Sequence, residues 1–140
     1  MYTNLLDESR SNLLERVVSC PTLFQQWIQK EVDVRITVAG NKCIGVALHS
    51  QEREVSLVDC RRDNMTGMRY SLLSIGEELE GTLVALVGSY GLHFAAIDMA
   101  RDFHGRYWFL ELNPAGQWAW LEQAAGAPIS EALIECLAND

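Results

Sequence analysis

Hydrophobic and polar residues alternate along the chain with two different periods. Between residues 32 and 38, valine and isoleucine alternate with polar residues, and a second alternating run covers residues 43–49. The connection AGNK joins the two runs and contains Gly40-Asn41, which suits the positive φ angles of a tight turn. This pattern predicts a β-hairpin with one apolar face.

Helical spacing marks three further segments. Residues 7–20, DESRSNLLERVVSC, form the first, and residues 74–91 form the second, which ends at Gly91. A last helix is expected from Pro128, after a shorter helical segment, GQWAWLEQAAG, that ends at Gly126. The buried stripes are predicted to contain Leu13, Leu14, Val17 and Val18 in the first helix, Leu79, Leu83, Leu86 and Val87 in the second, and Ile129, Ala132, Leu133 and Cys136 in the last.

The remaining segments complete the prediction of the fold. TLFQQWI, residues 22–28, is expected to form a short strand, and the polar stretch 51–70 a loop with one extended piece. AAIDMARDFHGRYWFLELNPAG, residues 95–116, has apolar arms around the polar connection DFHG and predicts a second hairpin. Hairpins interleaved with helices predict an α+β fold, in which an antiparallel sheet carries helices on one face. The length of the chain suits one domain, 1–140, with its own core.

Composition and charge limit the classes of partner. The net charge is −8, which argues against nucleic acid as the main partner, because phosphate backbones bind basic surfaces. A small phosphorylated ligand stays compatible with that charge, since a metal ion or a local group of cations suffices. No apolar run of about 18 residues indicates a membrane span, and the N-terminus lacks a secretion signal. We therefore expect a cytoplasmic protein whose four cysteines stay reduced.

Acidic residues occupy both arms of the second hairpin. A turn centred on DFHG places Asp98 directly opposite Glu111. Like charges at opposed positions destabilise a sheet, and a bound Mg²⁺ ion would offset them. Asn113 emerges on the same face as Glu111, because side chains repeat every two residues along a strand, and Tyr107 and Phe109 are expected there too. The residues alone leave two interpretations open, a Mg²⁺ site or an ordinary solvated face.

The second hairpin and its flanks resemble a known family. The motif E-x-N-P-x-G-Q-W at residues 111–118, preceded by the aspartate, is similar to the metal-binding hairpin of ATP-grasp ligases. The residues of this motif most resemble those of the microviridin-type (graspetide) ligases, which mature ribosomally made peptides. The upstream motif R-x-T-V-x-G, residues 35–40, the start YTNLL and the stretch VDCRRD fit the same branch. The resemblance covers nearly the whole chain.

This resemblance implies a metal and nucleotide site. The cofactors would be ATP and Mg²⁺, with one or two metal ions bound by Asp98, Glu111 and Asn113. The backbone of the implied hinge, QQWI, would meet adenine. The hinge residues are Gln25, Gln26, Trp27 and Ile28. Lys30 or Asp33 would lie near the ribose.

Three arginines also receive roles from the resemblance. Arg35 would point toward the γ-phosphate and the acyl phosphate, and Arg61 and Arg62 would face the phosphates or the acceptor peptide. The position of Arg35 on the polar side of its hairpin agrees, since a guanidinium binds phosphoryl oxygens bidentately. The residues alone favour a surface pair of Arg35 with Asp33 or a neighbouring acid, and they place the other two arginines in a solvated loop.

The resemblance implies a carboxylate ligase with an acyl-phosphate intermediate that cross-links a precursor peptide through ester or amide bonds. The first nucleotide-binding subdomain and the substrate-recognition domain of that family have no counterpart here, so we expect a C-terminal half that binds Mg·ATP weakly or not at all. A ligase of the same fold that adds amino acids, of the glutamate-tailing type, is an alternative. A further alternative is a non-catalytic remnant that assembles with an N-terminal complementary half or as a homodimer, through an exposed FQQWI edge.

Overall fold

The computed structural model describes residues 2–63 and 67–138, and its centre is a five-stranded antiparallel sheet with the order β3-β2-β1-β4-β5. The strands are β1 Lys30–Ala39, β2 Lys42–Leu48, β3 Tyr70–Leu73, β4 Phe94–Asp102 and β5 Tyr107–Asn113. The α-helices are α1 Glu77–Ser89, α2 Ala119–Ala125 and α3 Ile129–Ala138. Short 3-10 segments occur in the described chain at Glu8–Ser19, Ser50–Glu52, Glu54–Ser56 and Cys60–Asp63.

Side chains on the two faces of the sheet form two separate cores. On the first, the α1 face, Ile36 of β1 and Ile97 of β4 pack with the buried stripe of α1. On the second, the site face, Val46 and Leu48 of β2 pack with Leu121 of α2 and with α3. The predicted α+β fold with an antiparallel sheet is confirmed, but its helices cover both faces rather than one.

The first hairpin forms around the predicted AGNK turn, but its apolar positions do not share one face. Arg35 pairs with Val46, and Ile36 pairs with Gly45. Because directly opposed residues project to the same side, the polar row of β1 lies beside the apolar row of β2. The prediction of one apolar face is therefore wrong. Helices α2 and α3 cover the β2 side of the site face, which leaves the polar row of β1 at the border of that cover.

The helices after β2 follow the sequence pattern closely. In α1, Leu83 and Val87 are buried, and α3 buries Ile129 and Ala132 as predicted. Helix α2 ends where expected, with Gly126 in the left-handed conformation at φ 66°. None of the described helices is long and apolar enough to cross a membrane.

The chain before β1 departs most from the sequence pattern. Segment Glu8–Ser19 is a 3-10 helix, and Leu14 and Val18, predicted to be buried, are exposed. The side chain of Leu13 lies outside the described residues. The strand predicted at residues 22–28 does not form, because no strand of the described chain pairs with this segment and its backbone groups would remain unbonded.

Candidate functional site

The two acids of the second hairpin lie opposite each other on the site face. Asp98 of β4 pairs with Glu111 of β5 on one side and with Arg35 of β1 on the other. Asn113 is two residues beyond Glu111 and pairs with Ala96, so its side chain emerges on the same face. The predicted opposition of the acids is confirmed, and the arginine completes a row across three neighbouring strands.

A β-bulge lies between these acids and the turn of the hairpin. Met99 pairs with Phe109, which leaves Leu110 as an extra residue in β5. The extra residue reverses the alternation of faces, so Phe109 and Tyr107 project to the α1 face, where Tyr107 packs against the core. The expectation that these two rings enclose the acids is therefore wrong. Trp108 projects to the site face instead.

The acid pair carries more negative charge than its neighbours compensate. Arg35 Nε lies 2.9 Å from Asp98 Oδ1, and the two side chains are 19% and 29% exposed. Burial raises the pKa of Asp98, Arg35 lowers it, and both a hydrogen bond with Glu111 and the Glu111 charge raise it again, to about 6. A carboxyl pKa so far above its usual range indicates that the ionised form is under-stabilised. An added cation would correct this imbalance.

Hydrogen-bonding groups beside the acids are left without protein partners. Arg35 Nη1 and Thr37 Oγ1 are buried and make no hydrogen bond with the described protein atoms. Thr37 pairs with Ala96, so it lies on the site face with Arg35. Buried polar atoms are nearly always bonded in folded proteins, and exceptions concentrate where a ligand or ion binds. The donors suit a phosphoryl group, whose oxygens accept several bonds.

Asn113 shapes the loop that follows β5. Its Oδ1 atom accepts a hydrogen bond of 2.9 Å from the backbone N–H of Ala115, and the turn brings Gly116 onto Ala96. A β-carbon on Gly116 would lie 2.3 Å from the β-carbon of Ala96. The close approach requires glycine, and it fixes the loop over the site face. The Asn113 oxygen keeps a second lone pair for a further ligand.

The side chains fit a hard divalent cation. Mg²⁺ takes carboxylate and amide oxygens and retains several waters, and Asp98, Glu111 and Asn113 present two carboxylates and one amide on one face. In the described part of the chain no three His, Cys, Asp or Glu side chains are grouped to hold a metal. A metal held here would therefore take the Asn113 amide as its third protein donor, and the remaining ligands would be water or phosphate oxygens.

Arg61 and Arg62 follow a buried aspartate that sequence analysis did not select. Asp59 accepts hydrogen bonds from Arg61 Nε at 2.8 Å and from Arg61 Nη2 at 2.7 Å. Arg61 is within electrostatic reach of Glu111, whereas Arg62 donates to the backbone of Thr3. The charge of Arg61 thus interacts with the acid pair, and Arg62 is bonded to the N-terminal segment. The spacing D-x-R in VDCRRD was the available signal for the aspartate.

Lys30 and Asp33 are buried and paired with each other. Lys30 Nζ lies 2.7 Å and 2.8 Å from the two Asp33 oxygens, and Ser50 Oγ donates to Asp33 Oδ2 at 2.6 Å. Ser50 is fully buried. These contacts satisfy both charges inside the protein. Of the two partners that the residues alone left open for Arg35, the structure has the neighbouring acid, Asp98, and not Asp33.

The implied hinge is an irregular segment on the surface. Residues 25–27 are exposed and residue 28 is partly buried, directly before β1 begins. Trp27 is 48% exposed and Phe24 is 53% exposed. The four hinge residues lie outside the row of acids and arginine, at the end of β1 that carries the Lys30–Asp33 pair.

The fold that these elements build is the fold of ATP-grasp ligases. The structure matches a RiPP-associated ATP-grasp ligase from Chryseobacterium gregarium, solved with ADP and a leader and core peptide, with TM-score 0.88 and 27% identity over 99% of this chain and 42% of that chain. It also matches the macrocyclase MdnC from Microcystis aeruginosa MRC, solved with the precursor peptide MdnA, with TM-score 0.81 and 32% identity over 100% of this chain and 44% of that chain.

A third match supports the fold alone. The ATP-grasp ligase PsnB, solved with a precursor variant, Mg and ADP, has TM-score 0.76 and 22% identity over 97% of this chain and 43% of that chain. No family model and no curated protein matches the chain. The chain is therefore similar in fold to part of the RiPP-associated ATP-grasp ligases, and it spans less than half the length of these relatives.

Proposed function

We propose that this chain is the C-terminal part, a single domain over residues 1–140, of an ATP- and Mg²⁺-dependent ligase that cross-links a precursor peptide. In the whole enzyme, a side-chain carboxylate of the peptide attacks the γ-phosphorus of ATP and ADP leaves. A Ser or Thr hydroxyl, or a Lys amine, then attacks the acyl carbon, loses its proton and expels phosphate. The result is an ester or amide ring. The relatives solved with ADP and with leader and core peptides support this class of substrate.

One observation carries the proposal: Asp98 and Glu111 are direct partners on one face and Arg35 is bonded to the first of them. An uncompensated acid pair destabilises an empty protein, so its presence favours a cation-binding role over a solvated face. The unbonded Arg35 Nη1 beside it favours an anion in the same place. A metal–phosphate complex satisfies both requirements.

Each side chain of the row has a separate task. Asp98, Glu111 and Asn113 would hold Mg²⁺, which when bound neutralises phosphate charge. Arg35 orients the phosphoryl oxygens through a guanidinium held in place by Asp98. Arg61 supplies a second positive charge, which interacts with Glu111. Phosphoryl transfer depends on such positioning and charge neutralisation more than on covalent chemistry by the protein.

The nucleotide would bridge this chain and a second unit. The residues 25–28 lie on the surface beside exposed Phe24, which suits contact with a complementary N-terminal half. Adenine would meet the backbone there. The paired Lys30 and Asp33 would shape the ribose end from inside the fold, because their charges already satisfy each other. A cytoplasmic location is part of the proposal and agrees with the free state of the cysteines.

Reconstitution tests the proposal. The chain is combined with the complementary half of a RiPP-associated relative and its precursor peptide, and products are analysed by mass spectrometry. The expected product has lost one water per ring, with ADP and phosphate released in equal amounts. Transfer of free amino acids to a peptide end would instead identify a tailing ligase. Stable assembly without ATP consumption would identify a non-catalytic module.

A further inference from the structure

Asp59 is the most heavily hydrogen-bonded carboxylate of the loop between β2 and β3. Its side chain is 4% exposed and accepts four hydrogen bonds. The donors are Thr3 N at 2.8 Å, Arg61 N at 3.1 Å, Arg61 Nε at 2.8 Å and Arg61 Nη2 at 2.7 Å. An exposed loop that serves only as a connection does not need a buried anion of this kind.

The aspartate fixes one edge of the Arg61 guanidinium and leaves the rest available. Two parallel bonds from Nε and Nη2 set the plane of the group. A guanidinium has five N–H donors, so three are not used by Asp59, and the Arg61 side chain is 59% exposed. The Asp59 side chain is thus buried, whereas most of the Arg61 side chain stays accessible.

The loop lies beside the proposed metal and phosphate site. Cys60, between the two residues, packs against the core of the site face. It is within electrostatic reach of Asp33 and Asp98, and Arg61 is within reach of Glu111. The loop that carries Arg61 is therefore close enough to the acid pair for their charges to interact.

The N-terminal segment is bonded to the same loop. Thr3 N donates to Asp59, Arg62 Nη2 donates to Thr3 O at 3.0 Å, and the Arg62 guanidinium lies 5.5 Å from the centre of the Tyr2 ring. These contacts join residues about sixty positions apart in the chain. Arg62 therefore holds the segment, while Arg61 remains for the site.

We propose that Asp59 is a positioning residue, which holds the Arg61 guanidinium beside Asp98 and Glu111 so that its free N–H donors bind a phosphoryl group. The inference rests on the proposed function and adds that three residues of the segment VDCRRD have different roles. Asp59 orients, Arg61 binds phosphate, and Arg62 anchors the N-terminal segment. Asp59 itself would touch neither metal nor nucleotide.

The structural half of the inference is tested without any ligand. Arginine Nε–H signals of the ¹⁵N-labelled chain are recorded for the wild type, Asp59→Asn and the control Asp102→Asn. Asp102 is also buried and accepts bonds from the backbone of His104 and Arg106, but in the β4–β5 turn. The Arg61 signal is expected to be protected in the wild type and in the control, and to lose protection in Asp59→Asn. An unprotected wild-type signal would overturn the inference.

The functional half uses the same variants combined with the complementary half of a RiPP-associated relative, and Mg·ADP is titrated in as the probe and followed by calorimetry. Arg61→Ala should weaken binding by about 10-fold or more, since a hydrogen bond to a charged group contributes about 1.5–3 kcal/mol. Asp59→Asn should weaken it less, and the double variant should match Arg61→Ala alone. Additive losses would overturn the positioning role, because Asp59 would then act by another route.

Failure of the proposed function has a different signature. Mn²⁺ affinity, measured by electron paramagnetic resonance, should fall in Asp98→Asn and stay unchanged in Asp59→Asn. If Asp98→Asn leaves Mn²⁺ affinity intact, the metal site is wrong. If Mn²⁺ binds as expected but Arg61→Ala binds Mg·ADP like the wild type, the metal site stands and the role of Asp59 is refuted.

Discussion

Arg35 and Asp98 are direct partners across strands β1 and β4, and Nε of the arginine lies 2.9 Å from Oδ1 of the aspartate. The pair sits next to Glu111, so one cation faces two acids. The row formed by these three side chains therefore carries a net negative charge when both acids are ionised. The cross-strand ion pair, together with Glu111, therefore forms one side of the proposed binding site.

Removal of the Glu111 charge should have opposite effects on the stability of the protein and on its affinity for metal. Glu111→Gln relieves the repulsion with Asp98 and is expected to stabilise the metal-free protein by about 0.2–1 kcal/mol. The same change should lower Mn²⁺ affinity at least about 10-fold, equivalent to about 1.4 kcal/mol. Urea denaturation with and without Mg²⁺ measures both effects. The control is Glu131→Gln, on the exposed side of α3, which should change neither the stability nor the Mn²⁺ affinity. A Glu111→Gln protein that is less stable and still binds Mn²⁺ with full affinity would contradict the proposed metal site.

The chain alone should bind Mg·ATP weakly or not at all. It spans less than half of its ATP-grasp relatives, and each missing charged contact removes about 1.5–3 kcal/mol. Isothermal titration calorimetry should give no heat at micromolar concentrations. Addition of the complementary half should restore tight binding, whereas micromolar affinity of this chain by itself would show that the second unit is dispensable.

Loss of the buried Lys30–Asp33 pair should lower the free energy of unfolding of the protein. Asp33→Ala leaves the Lys30 ammonium buried without a partner and should cost about 3–5 kcal/mol. Replacement of both, Lys30→Met with Asp33→Ala, should recover most of that loss. Unfolding free energies from urea titrations test the cycle. Equal losses in the single and double variants would mean that the two charges do not depend on each other.

Asp59 should make folding sensitive to acid. Hydrogen bonds from Arg61 and from the backbone of Thr3 and Arg61 hold its pKa well below 3.8, against the opposing effect of burial. The unfolded state thus binds the proton more tightly, so this contribution is complete above pH 3.8 and declines as the pH falls below it. The loss of stability between pH 6 and pH 3 should be smaller in Asp59→Asn than in the wild type. An unchanged pH profile would exclude Asp59 as a source of that sensitivity.

Gly116 should tolerate no side chain. An added β-carbon would lie 2.3 Å from Ala96, so Gly116→Ala should cost about 1–3 kcal/mol by overpacking and weaken Mn²⁺ binding by moving the loop after Asn113. Gly81→Ala is a matched control, since nothing lies within 4 Å of its added carbon in helix α1, and it should stabilise by about 0.5–1 kcal/mol. Partial recovery is expected when Ala96→Gly is combined with Gly116→Ala.

Local patterns in the sequence were sufficient to predict the elements whose apolar residues recur with a regular period and form one buried face. Helix α1 formed where Leu83 and Val87 indicated it, and the turn of the second hairpin put Asp98 opposite Glu111. The bulge at Leu110 could not be predicted, because an extra residue leaves the alternation of apolar residues in β5 ambiguous. The exposed segment 22–28 was misassigned for a related reason: its residues favour a strand, but no partner lies beside it in the described chain.

The sequence by itself determined the two hairpins, the helices after β2 and the opposition of two acids, because each depends on short-range periodicity and turn chemistry. Only the tertiary structure decided which neighbours those acids have. Arg35 reaches Asp98 through the pairing of β1 with β4, and the backbone N–H of Thr3 reaches Asp59 across 56 positions of the chain. Contacts of this kind arise from the packing of distant segments, and no local pattern records them.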